Sequence, residues 1–267
     1  MSDFLKNMAE LSAERAAQAT MLDVAAAPPV VPLTLQQFDV IAEIKDHSPS
    51  EGALATAQSN RVTQAQQYAI GGAAAISVLT EPSRFMGTLQ HLQEVVAAVA
   101  DTPVMRKDFL VEPVQVVEAR AAGASGVLLI ATMLADKKLE DMLACAFDHG
   151  MFVLLETFDT DDLARTSKLL ERPMHLDSAQ RGQLLVGVNT RNLRTLEVDA
   201  GRLEQLAPLL PAAKCVAESG LQSAADAADA ARLGYHLALV GSALMRSADP
   251  SVLVSEMRAA GSARIAA

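Results

Sequence analysis

The chain has 267 residues, of which 51% are hydrophobic and 3% aromatic, and its formal net charge is −10. An acidic chain with no stripe of Lys and Arg lacks the basic surface that nucleic-acid binding needs, and no apolar stretch approaches the ~20 residues of a membrane helix. We therefore expect no nucleic-acid partner, no membrane span and a cytoplasmic location.

The first predicted element is a helix over Asp3–Thr20, which precedes the proline-rich residues 28–32. Because proline removes a backbone donor and fixes the backbone angle φ, this second segment is unsuited to a helix or a central strand. We interpret residues 1–36 as an N-terminal extension of a single domain that spans residues 1–267. The helix is expected to cover the bottom of that domain, the end at which its strands begin.

Beyond residue 36 one unit recurs, which consists of a helix-like stretch, a glycine and a run of apolar residues. The glycine suits the left-handed end of a helix, and a short apolar run suits a strand that is buried on both faces. Eight such runs predict an α/β fold, a (β/α)8 TIM barrel over residues 37–260 with an extra N-terminal helix. The predicted strands are Val40–Ile44, Ala74–Leu79, Pro103–Arg106, Gly126–Ile130, Phe152–Leu155, Leu184–Val188, Lys214–Ala217 and Leu237–Val240.

Amphipathic stretches between these runs are predicted to form the outer helices of the barrel. The stretch Glu171–Gln183 is long for a connection between a helix and a strand. Because a strand follows it, we expect this stretch at the bottom of the barrel, away from any chemistry. The predicted outer helices are Leu89–Val99, Pro113–Ala122, Lys138–Phe147, Thr160–Leu169 and Ala224–Leu233.

Polar residues stand at the ends of several predicted strands, where the active site of such a barrel is built. Glu43 and Lys45 are two residues apart on the first strand and therefore point to the same side. A carboxylate and an ammonium group that lie close together can have their pKa values shifted for acid–base chemistry, although a structural ion pair would give the same pattern. Lys107, Glu156 and Asn189 at three further strand ends favour the catalytic interpretation.

The last two strand ends carry small residues, Ser219-Gly220 and Gly241-Ser242. Their backbone N–H groups allow an anion to approach, and barrels commonly hold a phosphate after the seventh and eighth strands. Either pair alone would be typical of a plain turn. Together they predict a phosphate site.

The predicted barrel contains the segments IAEIKDHSPSEG, AISVLTEPSRFMGTL, PVMRKDFLVEPVQVVEARAAGASGVLLI, LLETFDTDDL, VGVNTRNLRTLEVD, VAESGL and ALVGSALMR, in this order. They span about Val40 to Arg246 and together resemble the indole-3-glycerol-phosphate synthase family. The resemblance implies a phosphorylated small-molecule substrate, 1-(2-carboxyphenylamino)-1-deoxyribulose 5-phosphate. This molecule would be cyclised with loss of carbon dioxide and water in tryptophan biosynthesis. No metal or organic cofactor is implied.

The resemblance also implies a role for each matched residue. Lys107 resembles the general acid that protonates the ribulosyl ketone as the anthranilate ring carbon attacks it. Glu43, Lys45 and Glu156 resemble the groups that stabilise the cationic intermediate and move protons, with the individual transfers left open. The other matches are Asn189 and Ser219 as further catalytic residues, Arg191 and Glu218 as substrate-binding residues, Phe85 and Phe109 as the apolar wall around the anthranilate ring, and Ser48, Gly220, Gly241 and Ser242 as phosphate-binding residues.

The loop from Lys45 to about Asn60 resembles a lid that would exclude water from the intermediate. Within it Asp46, His47 and Glu51 stand where the family often has basic or small residues. These departures concern the motion of the lid and the pathway context more than the reaction. The resemblance leaves other enzymes of the tryptophan pathway open as protein partners.

Two other functions fit the sequence less well. Phosphoribosylanthranilate isomerase, another phosphate-binding barrel of the same pathway, would need a cysteine at the end of the first strand, where this chain has Glu43. A catalytically silent scaffold would be expected to lose residues such as Lys107, Glu156 or Asn189, and all are present. A paralogue that serves a secondary indole pathway with the same chemistry remains open.

Overall fold

The structure is a computed structural model, and it describes residues 2–19, 23–48, 52–53, 60–191, 197–199 and 201–265. Within these residues, eight parallel strands close into a barrel in chain order, so that the first and the eighth pair with each other. The predicted (β/α)8 barrel is therefore confirmed. The strands, numbered one to eight, are Asp39–Ile44, Ala75–Leu79, Val104–Lys107, Gly126–Ile130, Phe152–Thr157, Leu184–Asn189, Lys214–Glu218 and Leu237–Val240.

Helices alternate with these strands, and each predicted outer helix is present with ends shifted by no more than two residues. The long stretch before the sixth strand contains a helix of its own. After the first strand, the two-residue strands His47–Ser48 and Gly52–Ala53 pair in antiparallel fashion. The helices of the described residues are α1 Asp3–Ala17, α2 Arg61–Ile70, α3 Pro82–Phe85, α4 Leu89–Ala98, α5 Pro113–Ala121, α6 Asp136–Asp148, α7 Thr160–Leu170, α8 Pro173–Gln180, α9 Arg202–Leu206, α10 Ala224–Arg232, α11 Ser242–Arg246 and α12 Pro250–Ile265.

The interior of the barrel is apolar in its lower part and charged at the top. Side chains alternate between the inside and the outside of each strand, so inward residues follow each other at intervals of two. In the first strand Ile41 is followed by Glu43, and in the fifth strand Leu154 is followed by Glu156, and all four are buried. The alternation therefore places carboxylates directly above an apolar packing layer.

A second apolar core lies between the strands and their helices. It contains outward strand residues such as Val40 and Val78 and helix residues such as Tyr68 of α2 and Leu92 of α4. Because the strands are buried on both faces, they need apolar residues at successive positions. This burial explains why the strands appear in the sequence as continuous apolar runs.

The prediction that the N-terminal helix covers the bottom of the barrel is wrong, because α1 lies at the top. Its Arg15 binds Glu81 and Asp108, which lie in the loops after the second and third strands. The proline-rich segment covers the bottom instead. There the backbone N–H of Val31 donates to Oγ of Ser125, the residue before the fourth strand, at 2.9 Å. The chain between α1 and the first strand therefore crosses from the top of the barrel to its bottom.

The placement of the stretch before the sixth strand at the bottom of the barrel is confirmed. The carbonyl of Gln183 accepts a hydrogen bond from the backbone N–H of Val153, near the start of the fifth strand. A methyl group on Gly182 of the same stretch would lie 3.3 Å from Cδ1 of Leu35, which follows the proline-rich residues. In the described parts of the chain, no helix has the length and apolar character to cross a membrane.

Candidate active site

A cavity of about 700 Å³ opens at the top of the barrel, where the strands end. Two predicted residues do not contribute a side chain to its described surface. Glu218 lies beneath that surface, and the side chain of Ser48 is outside the described residues, as is most of the predicted lid after Ser48. The predicted site residues that line the cavity are Glu43, Lys45, Phe85, Lys107, Phe109, Glu156, Asn189, Arg191, Ser219, Gly220, Gly241 and Ser242.

Glu43 forms ion pairs with both lysines that line the cavity, Lys45 and Lys107. Its Oε1 is 2.9 Å from Nζ of Lys45, and its Oε2 is 3.0 Å from Nζ of Lys107. Burial alone would raise the pKa of this carboxyl, but the two ammonium groups outweigh burial and lower the pKa to about 2. Glu43 is therefore an anion at neutral pH. The predicted placement of Glu43 and Lys45 on the same side of the strand is confirmed.

Lys107 lies among three carboxyl groups. Besides the contact with Glu43, its Nζ is 4.0 Å from Oε2 of Glu218, and Glu156 is close enough to act on its charge. Burial would lower the pKa of this ammonium group, but the carboxylates outweigh burial and raise the pKa above the ordinary lysine value of 10.5. Lys107 therefore carries a proton at neutral pH, which a general acid requires.

Glu218 is the most deeply buried carboxyl of the site. Neither carboxyl oxygen accepts a hydrogen bond from the described residues. Burial, followed by the charge of Glu156, raises the pKa of Glu218 well above the ordinary value of 4.5, although Lys107 opposes the shift. A methyl group on Gly187 of the sixth strand would overlap Oε1 of Glu218. The glycine thus provides space for a carboxyl that keeps its proton to an unusually high pH.

The sixth and seventh strands end in a hydrogen-bonded pair. Oγ of Ser219 donates to Oδ1 of Asn189 at 2.9 Å, and the backbone N–H of Arg191 donates to the same oxygen at 2.9 Å. Ser219 has a φ of 68°, a left-handed conformation that is uncommon for residues other than glycine and is often found at functional sites. Because Oδ1 of Asn189 is occupied, its amide NH2 group is the part of this side chain that can donate to a ligand.

Phenylalanine side chains form one wall of the cavity. The ring of Phe109 meets Phe4 edge-on at a centroid distance of 5.8 Å and Phe85 in a tilted contact at 6.1 Å. Phe4 was not predicted from the sequence, because no local pattern indicates where α1 docks. Leu128 and Ile130, which line the cavity from the fourth strand, were not predicted either. The two-residue alternation of inward positions could have identified both.

Gly241, which was predicted to bind phosphate at the end of the eighth strand, also leaves space for the ion pair of Glu43 and Lys45. A methyl group on Gly241 would overlap Oε1 of Glu43 and would lie 3.0 Å from Nζ of Lys45. Gly220 and Ser242 line the same cavity. A small residue at position 241 is therefore required by packing as well as by any ligand at that end.

Comparisons with known proteins agree on one family. A family model described as "Indole-3-glycerol phosphate synthase" matches residues 6–257. The chain is 41% identical to the indole-3-glycerol phosphate synthase of Paenarthrobacter aurescens (strain TC1) over 98% of this chain and 92% of that protein. It is 44% identical to the enzyme of the same name from Kineococcus radiotolerans over 83% of this chain and 76% of that protein.

A likeness to solved structures supports the fold alone. The crystal structure of 3-hexulose-6-phosphate synthase from Salmonella typhimurium has a TM-score of 0.64 and 16% sequence identity, and the match covers 85% of this chain and 100% of that one. At this identity the likeness is one of barrel architecture, and it carries no information about the substrate.

Proposed function

The chain belongs to the indole-3-glycerol phosphate synthase family, and on that premise we propose that Lys107 is the general acid of the family's reaction in the cavity at the top of the barrel. The reaction is the decarboxylating closure of the indole ring in tryptophan biosynthesis, and the chain is a carboxy-lyase that acts on a phosphorylated small molecule. The observation that carries the proposal is the contact of Lys107 with Glu43 at 3.0 Å inside this cavity.

The cavity offers the two kinds of surface that 1-(2-carboxyphenylamino)-1-deoxyribulose 5-phosphate needs. Its aromatic ring packs against the wall that contains Phe85 and Phe109, since aromatic rings favour edge-on and offset contacts with one another. Its phosphate binds backbone N–H groups at Gly220, Gly241 and Ser242, with Ser48 as a further donor. We propose that the ribulosyl ketone, which lies between these two ends of the substrate, is then held near Lys45 and Lys107.

Ring closure begins when the ring carbon that bears the carboxylate attacks the ketone carbon. The ketone oxygen takes the proton of Lys107 and becomes a hydroxyl group, so no alkoxide accumulates. The intermediate carries a positive charge on its nitrogen, and the electrons of the breaking bond to carbon dioxide neutralise that charge. Loss of the hydroxyl as water and of one proton then completes the indole.

The carboxylates around Lys107 stabilise the cationic intermediate. With a pKa of about 2, Glu43 binds a proton poorly at neutral pH, so it acts by its charge and by holding Lys45. Glu156 lines the cavity and is our candidate for the proton acceptor in the dehydration. Glu218 lies beneath the surface, so we propose that it tunes Lys107 and Glu156 instead of binding substrate directly.

The ends of the sixth and seventh strands position the substrate. The amide NH2 group of Asn189 and the side chain of Arg191 donate to its hydroxyl and carboxylate oxygens, while Ser219 orients Asn189. Because Phe4 comes from the N-terminal extension and the other groups come from the barrel, we propose that residues 1–267 form a single domain. A cytoplasmic location and partners among the tryptophan-pathway enzymes remain predictions.

The test is turnover of the carboxyphenylamino-deoxyribulose phosphate, followed by indole fluorescence. We expect the wild type to form product and Lys107→Met to lower kcat by about a thousandfold, which is within the range of a lost general acid. Lys137→Met is the matched control, because the Lys137 side chain is 82% exposed and is not among the residues that line the cavity. Absence of turnover in a wild type whose circular dichroism confirms folding would refute the assignment.

A further inference from the structure

One guanidinium group, that of Arg15 in α1, contacts two buried carboxylates at the rim of the cavity. Its Nη2 is 2.6 Å from Oδ1 of Asp108, and its Nη1 is 3.4 Å from Oε1 of Glu81. Both carboxylate side chains are 1% exposed, so their charges depend on partners inside the protein. Arg15 thus joins the N-terminal helix to the loops after the second and third strands.

Glu81 fixes the short helix α3, which ends at Phe85. Its carboxylate accepts hydrogen bonds from the backbone N–H groups of Ser83 at 2.8 Å, Arg84 at 2.7 Å and Phe85 at 3.2 Å. These bonds satisfy donors that the first turn of a helix leaves free. The position of the Phe85 backbone therefore depends on the position of the Glu81 carboxylate.

Asp108 fixes Phe109 in the same manner. Its Oδ1, the atom that Arg15 contacts, also accepts the backbone N–H of Phe109 at 2.8 Å. Its Oδ2 accepts hydrogen bonds from Oγ1 of Thr80 at 2.8 Å and from Nη2 of Arg106 at 3.1 Å. The Asp108 carboxylate therefore links Arg15 to the backbone of Phe109.

We propose that Arg15 is the positioning residue of the aromatic wall. It acts on Phe4 through its own helix, on Phe85 through Glu81 and on Phe109 through Asp108. The proposal rests on the proposed function, in which this wall binds the aromatic ring of the substrate. Since the ring is bound both before and during the reaction, a loosened wall raises KM more than it lowers kcat.

The helix has a second attachment that keeps it near the barrel when Arg15 is changed. Nε2 of Gln115 in α5 donates to Oγ of Ser12 at 2.8 Å and to the carbonyl of Ser12 at 3.2 Å. Loss of the guanidinium group should therefore loosen the wall without releasing α1. This attachment makes the effect measurable in a folded enzyme.

The kinetic test is a double-mutant cycle with Arg15→Gln and Phe4→Ala in the full-length enzyme. We expect Arg15→Gln to raise KM about tenfold with a smaller change in kcat, and Phe4→Ala to have little further effect once Arg15 is replaced. Arg15→Lys should restore part of the loss, because a lysine supplies the charge but cannot reach both carboxylates with a planar fork. Lys6→Gln removes a positive charge from the exposed side of the same helix and is the matched control.

Hydrogen exchange gives a readout that needs no substrate. Arg15→Gln should speed exchange of the amides of α1 and of residues 83–85, while the barrel strands keep the wild-type rates. Unchanged exchange at both segments would overturn the proposal even if the wild type shows no turnover, so its failure is separate from that of the proposed function. Independent, multiplicative effects of Arg15→Gln and Phe4→Ala, or a KM in Arg15→Gln equal to that of Lys6→Gln, would also overturn it.

Discussion

Arg106, Lys107 and Asp108 are consecutive in the chain, yet they belong to two ion-pair networks with opposite properties. Lys107 points into the barrel and its two neighbours lie outside, because side chains alternate along a strand. The inner network consists of Glu43, Lys45, Lys107, Glu156 and Glu218. The outer network consists of Arg15, Glu81, Arg106, Asp108 and Glu118.

The outer network is fully hydrogen-bonded at its centre, whereas the inner one is not. Arg106 donates to Thr80, to Asp108 and to the carbonyl of Gln115. In the inner network, neither carboxyl oxygen of Glu218 accepts a hydrogen bond from the described residues. A satisfied buried network stabilises a fold, while an incompletely satisfied one with shifted pKa values is typical of a reactive site. The comparison therefore assigns stability and support of the aromatic wall to the outer network, and chemistry to the inner one.

The largest effect is expected from Glu43→Gln, which removes the anion between Lys45 and Lys107. The kcat should fall about a thousandfold at neutral pH, which is within the range for loss of one group that stabilises charge in the transition state. Because Glu43 is the strongest of the charges that raise the pKa of Lys107, the variant should also lose its remaining activity at a lower pH than the wild type does. The measurement is the pH profile of kcat. A profile that matches the wild type would show that Glu43 does not take part in the reaction.

A smaller effect is expected from Gly187→Ala, compared with Gly126→Ala lower in the same barrel. The added methyl group at position 187 overlaps the carboxyl of Glu218, and at position 126 it overlaps the ring of Phe152. We expect Gly187→Ala to lower kcat about a hundredfold, since small displacements in a site can cost that much. Gly126→Ala should instead cost about 1–3 kcal/mol of unfolding free energy and leave kcat within about threefold. Equal losses of kcat in the two variants would contradict the assignment of chemistry to the network that contains Glu218.

The smallest effect concerns the dependence of stability on pH. Glu218 binds its proton more tightly in the folded than in the unfolded chain, so the stability that this proton confers is lost as the pH rises above the ordinary value of 4.5. Glu218→Gln should therefore melt a few degrees above the wild type at pH 8 and at about the same temperature at pH 4.

Glu43→Gln should show the reverse dependence. The pKa of Glu43 is lowered from 4.5 to about 2, so its contribution to stability is present above pH 4.5 and is lost as the pH falls towards 2. This variant should be less stable than the wild type at pH 8, with a difference that shrinks in acid. Melting-temperature differences that do not change with pH in either variant would contradict both shifts.

The sequence predicted the features that local patterns encode. Apolar runs, several of them after glycines, located the eight strands, and polar residues at strand ends such as Glu43, Lys107 and Asn189 were predicted at the site that they form. The two-residue period was sufficient to place Glu43 and Lys45 on one side. These patterns arise from backbone geometry, which acts between near neighbours.

Features that depend on long-range contacts were not predictable. The docking of α1 rests on Arg15 and Asp108, which are 93 residues apart, so the helix was expected at the wrong end of the barrel. Glu218 ends the seventh strand as expected, but its depth follows from the absence of a side chain at Gly187 on the neighbouring strand. No local sequence pattern indicates that Arg15 contacts Asp108 or that Glu218 packs against Gly187.

The contrast between the two networks is tested most directly by Arg106→Met and Lys107→Met, each measured for kcat and for the free energy of unfolding in urea. We predict that Lys107→Met lowers kcat about a thousandfold with the smaller change in stability. Arg106→Met should lose about 3 kcal/mol or more of stability, because Asp108 and Glu118 lose a buried partner, while kcat stays within about threefold. A Lys107→Met enzyme with wild-type kcat, or an Arg106→Met enzyme that is inactive but fully stable, would contradict the account.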